Sequence, residues 1–179
     1  MAKNNSTSNT IQLPLPIDGA TVEIQLTKGY VTIIDAVDAD LAQYDWHIHQ
    51  NKCSHYACRT IRNEGKKYDL HLHTIILERK LGRQLLPNEL TDHEDMNSMN
   101  NRRYNLRPAS KSQNNSNRIK SKKNTSGYKG VVRHGKAWQA QIKVNSKKIT
   151  LGSFDNPEEA HAAYCEASKK YHGEFGRFD

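Results

Sequence analysis

Apolar residues are scarce here: they make up 35% of a 179-residue chain whose mean hydropathy is −0.88. No stretch approaches the roughly 20 consecutive apolar residues that span a bilayer, so a soluble, cytoplasmic protein with no membrane partner is expected. The first ten residues, MAKNNSTSNT, lack the apolar segment of a secretion signal and read as a disordered tail. Cysteine is equally sparse. Cys53, Cys58 and Cys165 are odd in number and form no CxxC pair, which excludes a disulfide framework and a zinc ribbon. His47, His49, Cys53, His55 and Cys58 fall close together and could in principle hold zinc, but their spacing matches no regular zinc pattern. A hairpin in WHIHQNKCSHYACRT, with His and Cys at its polar positions, accounts for them too.

The most informative absence is of acid. Between Arg102 and Lys148 there are fourteen Lys and Arg residues and no Asp or Glu. Residues 1–95 carry 10 basic and 13 acidic residues, a net of −3, whereas residues 96–179 carry 17 and 6, a net of +11. Positive charge confined to one half draws in a polyanion and releases its counterions. Double-stranded DNA is the partner this predicts, and no obligatory protein partner is inferred.

Pattern along the chain predicts an α+β protein of small pieces. Residues 11–71 alternate apolar and polar positions around Gly and Pro breaks, as antiparallel strands do, with a short helical or turn piece near AVDADLAQY. Leu72, Ile75, Ile76 and Leu81 then recur at helical spacing, and Gly82 stops them. Residues 86–118 mix loop chemistry with strand-like fragments, and 119–125 read as a flexible basic linker. From 126 to 179 three strands are expected, at 130–133, in AWQAQIKV and in KKITLG, the last two joined by a turn at Asn145 and Ser146. Trp138, Ala140, Ile142 and Val144 share the inward face of the middle strand. NPEE then opens a helix, with Asn156 as its cap, Pro157 in the first turn and Glu159 completing the capping pattern. Ala160, Ala163, Tyr164, Ala167 and Tyr171 are expected to line its buried stripe.

The segment TDHEDMNSMNNRRYNLRPASKSQNNSN holds reactive chemistry: adjacent Asp92 and His93, then Asn105, then Asn114. Hydrolysis of a phosphodiester needs a base to deprotonate water and a cation to stabilise the transition state. Oxygen donors suit Mg²⁺ or Mn²⁺. An Asp-His pair at a strand end points its side chains to opposite sides, so a nearby helix must supply any further ligand; KSQNNSN would provide it from Asn114.

The order Asp-His, eleven residues, Asn, eight residues, Asn, with Asn105 opening Asn-Leu-Arg, resembles the ββα-metal core of phage-type HNH homing endonucleases. LHLHTIIL resembles the helix that precedes that core. The resemblance implies that His93 is the general base, that Asp92 and Asn114 hold Mg²⁺ or Mn²⁺, and that Asn105 braces the loop and keeps His93 aimed. It further implies residence in a bacterial host or phage-infected cell. Asn100 and Asn101 would lie in the loop crossing the core. Four positions depart from the family: Glu94, Asp95 and Met96 stand where Ile-Asn-Gly is usual, and Thr74 stands where Arg is usual. The block 126–176 resembles the ethylene-response-factor (APETALA-type) DNA-binding domain through Tyr128-Lys129-Gly130-Val131, Leu151-Gly152-Ser153-Phe154 and an Ala-Ala-Tyr helix. That family's sheet enters the DNA major groove. By position Lys129, Arg133, Gln139, Gln141, Lys143 and Lys148 would face DNA, joined by Arg107 of the preceding segment. Val132 and Thr150 replace an Arg and an aromatic that are usual there. A metal-dependent endonuclease with a C-terminal binding module is the expectation, and a DNA-binding regulator that does not cut is the alternative.

Overall fold

A computed structural model describes residues 19–50, 55–121 and 123–178. The expected tail at 1–10, and Cys53 of the possible zinc group, lie outside these. The fold is α+β, with four small antiparallel sheets and three α-helices among the described residues. None of those helices is long and apolar enough to cross a membrane.

The first hairpin pairs β1 (Thr21–Gln25) with β2 (Val31–Asp35). Alternation puts Ile24, Thr32 and Ile34 inward, all buried. A 3-10 helix, Ala36–Gln43, follows where the sequence predicts a short helical piece. Its Asp38 is fully buried and holds Arg103 at 2.8 Å and Arg79 at 3.3 Å. A second sheet joins β3 (His47–Gln50), β4 (His55–Asn63) and β5 (Lys66–His71) in that order. From β5 the chain turns directly into α1 (Leu72–Leu81), which ends at Gly82 with φ 65°. That left-handed conformation costs glycine nothing and closes the helix through the bond from Arg83 N–H to the Glu78 carbonyl.

Next come β6 (Glu89–His93), β7 (Leu106–Ser110) and α2 (Lys111–Ser116). The two strands pair antiparallel, with Asp92 opposite Arg107 and His93 opposite Leu106. Ser110 caps α2 in a reciprocal box: its Oγ accepts from Gln113 N–H, while the Gln113 Oε1 accepts from Ser110 N–H. One hydrophobic core runs through all of this. Ile24, Ile34, Trp46, Ile48 and Ala57 of the N-terminal strands and loops pack with Leu72, Ile76 and Leu77 of α1 and with Leu106 of β7. The N-terminal sheets therefore act as the wall against which the 89–116 segment is built.

The C-terminal unit has β8 (Val131–His134), β9 (Ala137–Val144), β10 (Lys147–Phe154) and α3 (Pro157–His172), with sheet order β10-β9-β8. The β9–β10 turn falls at Asn145 and Ser146, with φ 46° and 66°, the paired positive values that match sheet twist in a two-residue hairpin. Asn156 caps α3 by accepting from Glu159 N–H at 2.8 Å. Val131, Ala140, Ile142, Ala160, Tyr164 and Ala167 form the interior. Tyr171 does not belong to the buried stripe as helical spacing suggests; it is exposed, and Ser168 is buried instead. The reason is the chain after the helix: Phe175 folds back into cover and Gly176 packs on Ser168, rotating the buried face by one position.

Candidate active site

Asp92 and His93 close strand β6, so pleating sends their side chains apart. Both are buried. The Asp92 carboxylate meets β7 and the end of α2: Arg107 Nε donates to it at 2.9 Å, and Asn117 Nδ2 donates to both its oxygens at 3.1 Å. Asn117 also donates to the His93 carbonyl at 2.9 Å, which ties the strand end to the helix end. Asn114, one turn earlier on α2, shares the helix face of Asn117 by spacing.

On the other side, the His93 Nε2 lies 3.0 Å from the Asn101 Oδ1. Burial pushes the imidazole below its ordinary value, while Asn101 and the nearby Asp95 and Asp92 oppose that shift. His93 is thus weighted toward the neutral, proton-accepting form. Asn105 is buried and spans the loop between the strands. Its Oδ1 accepts from Asp95 N–H at 3.0 Å, and its Nδ2 donates to Asp95 Oδ1 at 2.9 Å and to the Asn100 carbonyl at 2.8 Å. It braces the loop at 94–104, and the His93 ring is hydrogen-bonded to Asn101 instead.

The rings of His73, Tyr56, His71 and His49 extend from His93 in a chain of contacts. His73 lies 5.3 Å and Tyr56 6.5 Å from it by ring centroid, and His71 stacks on His73 at 5.1 Å. The His73 Nδ1 is sealed from solvent without a hydrogen-bond partner among the described residues. Burial, then the neighbouring His93 and His71, hold its imidazole well below the ordinary range. Cys58 sits opposite both His47 and His71 in the second sheet, with its Sγ 3.1 Å from His71 Nδ1. Burial and Asp69 push its thiol up to about 11, so it stays protonated at neutral pH. Among the described residues no three His, Cys, Asp or Glu side chains converge as a metal site.

For a hard cation the question is one of donor chemistry at Asp92. A buried carboxylate demands positive charge, and the amide that lies against it is that of Asn117, which presents its Nδ2 protons. A carboxylate with an amide oxygen would suit Mg²⁺ or Mn²⁺, but the charge beside Asp92 here is the Arg107 guanidinium.

The remaining predicted residues divide in two. Lys143 and Lys148 are exposed on one face of the C-terminal sheet, with Gln139 and Gln141 half-buried beside them and the Gln141 Oε1 buried without a partner among the described residues. Arg133 is exposed but does not share that face: it pairs with Trp138 across β8 and β9, and its guanidinium lies 4.7 Å over the Trp138 ring. Lys143 and Lys148 are direct cross-strand partners. Two like charges so placed repel each other, and neither has an acidic partner among the described residues. Lys129 and Arg107 turn inward instead. Lys129 Nζ donates to the Ser116 carbonyl at the end of α2. Arg107 lies over the Phe175 ring at 4.0 Å and donates to the Glu174 carbonyl. Both therefore join the C-terminal unit to the Asp92 region.

Sequence reasoning did not find Asn117, Thr32 or the direct partnership of Asn101 with His93. Asn117 carried a signal, since it follows Asn114 by three residues. Thr32 carried none, being 69 residues from Asn101. Compared with models of known protein families, the chain matches none.

Proposed function

We propose that this protein is a metal-dependent endonuclease that hydrolyses DNA phosphodiester bonds, akin to the phage-type HNH homing endonucleases, and that its C-terminal sheet binds the DNA. The observation that carries this reading is the buried Asp92-His93 pair at the end of a strand, inside a two-stranded hairpin followed by a helix, with Asn105 bracing the intervening loop.

In this reading His93 acts as general base, accepting a proton from water. Asp92 and Asn114 would hold the Mg²⁺ or Mn²⁺, which when bound stabilises negative charge on the phosphate and on the departing oxygen. Arg107, which holds the Asp92 carboxylate at 2.9 Å, would have to release it for Asp92 to hold a cation. Asn105 keeps the loop closed behind His93. Lys143 and Lys148 form the exposed positive patch for the phosphate backbone, and Gln139, on the same face, offers its amide to base edges. An ethylene-response-factor-like use of this sheet accounts for basic residues facing outward opposite an apolar interior.

The alternative is a DNA-binding regulator that does not cut. It draws on one observation: Asp92 is already satisfied by Arg107 and Asn117. One experiment decides between them. Duplex DNA incubated with the wild-type protein and Mg²⁺ or Mn²⁺ should be nicked, and His93→Ala should abolish nicking while leaving binding almost unchanged. Equal residual cutting by the variant would remove His93 from the mechanism, and binding without cutting by the wild type would favour the regulator.

A further inference from the structure

Resting on that reading, we infer that Thr32, in the N-terminal hairpin, is a positioning residue for His93: through Asn101 it fixes which ring nitrogen carries the proton. The inference comes from hydrogen-bond direction. The Thr32 hydroxyl is fully buried and donates its one proton to the Met99 carbonyl at 2.8 Å. Its oxygen can then only accept from Asn101, whose Nδ2 donates to it at 2.7 Å. The second proton of that amide points at the Ser98 carbonyl, 3.4 Å away. A reversed amide would set its oxygen against the Ser98 carbonyl and would require the Thr32 hydroxyl to turn from Met99. The Asn101 Oδ1 therefore faces His93, and at 3.0 Å an acceptor there requires a proton on Nε2.

A neutral imidazole with its proton on Nε2 has its lone pair on Nδ1. That nitrogen is then the atom that takes the proton from water, the hydrogen bond to Asn101 being made by Nε2. The backbone supports the same geometry. Ile33 N–H donates to the Met99 carbonyl at 2.9 Å and Asn101 N–H donates to the Ile33 carbonyl at 2.8 Å, so strand β2 clamps the loop on either side of Asn100. Thr32 thereby acts on the chemistry from a fully buried position. A hydrogen bond to the far nitrogen of a working histidine sets tautomer and ring orientation, and its loss typically lowers activity by about ten- to a hundredfold where it has been measured at metal sites.

The test reads the tautomer directly. Full-length protein labelled with ¹⁵N in its histidines, at pH 8, gives separate two-bond nitrogen–carbon-proton patterns for the two tautomers, and His93→Ala identifies the His93 signals. The expected result is a proton on Nε2 in the wild type. Thr32→Val, which keeps shape but removes the acceptor, should mix the tautomers and lower kcat for nicking by roughly tenfold with little change in KM. Thr32→Ser, which restores the hydroxyl, should recover both. A wild-type His93 protonated on Nδ1 overturns the inference, whether or not Thr32→Val folds. So does a Thr32→Ser variant as impaired as Thr32→Val, because the methyl rather than the hydroxyl would then matter. The tautomer is measured without cutting, so a protein that binds DNA and never nicks it overturns the endonuclease reading while leaving the hydrogen-bond direction to be judged by the spectrum.

Discussion

Arg107 shows how one side chain can hold two parts of a molecule. Its Nε neutralises Asp92, its guanidinium lies on Phe175, and its Nη1 reaches the Glu174 carbonyl. Removing it strands a buried carboxylate, and breaking such a pair costs about 3–5 kcal/mol. Arg107→Ala is therefore expected to lower stability by about that amount in chelator, measured by urea unfolding. If Asp92 holds a divalent cation, adding Mg²⁺ should return part of the loss, because binding to the folded state alone stabilises it by mass action. A variant indifferent to Mg²⁺ would argue against Asp92 as a ligand. Thr32 and Asn101 act at the same scale, since direction within single hydrogen bonds decides what His93 can do.

At the scale of elements, the C-terminal sheet and helix depend on a close approach. Gly130 stands at φ 77°, just before β8, and a Cβ placed there would sit 2.0 Å from the Tyr164 ring of α3. No alanine fits without moving the helix. Gly130→Ala combines overpacking with a left-handed backbone and should cost about 2–4 kcal/mol. The loss would appear as a lower melting temperature and weaker DNA binding. Unchanged melting would mean that α3 does not pack on β8 as described. The β9–β10 hairpin and the Asn156 cap are local features of the same unit and match the reading from composition and spacing alone. Tyr171 does not, because the returning chain at Phe175 and Gly176, rather than the helix, selects the buried face.

Across the whole molecule, charge and core are distributed differently. Basic residues concentrate in the second half of the chain, while the largest hydrophobic cluster lies mostly in the acidic first half and takes in Leu106. Binding to a polyanion should then be strongly salt-dependent, and part of that dependence should trace to the facing Lys143 and Lys148. Replacing both with alanine should reduce the slope of log binding constant against log salt by about 2, as two lost phosphate contacts would. Nicking by DNA-bound enzyme should be unchanged. A slope equal to that of the wild type would place the DNA elsewhere.

What the sequence determined by itself was everything set by near neighbours. Strand alternation, the two-residue turn at Asn145 and Ser146, the Gly82 stop and the helix caps each follow from residues within a few positions of one another. So did the proximity of Asp92, His93 and Asn105, whose spacing matches a hairpin and its loop. Only the tertiary structure decided how those groups are held. It set Arg107 and Asn117 on Asp92, made Asn101 rather than Asn105 the partner of the His93 ring, and ran that contact back to Thr32. Those bonds join residues 15, 25 and 69 positions apart as well as near ones, and their direction depends on which carbonyls the folded backbone leaves open. No local pattern encodes that choice, because a buried amide takes its orientation from all the groups packed around it.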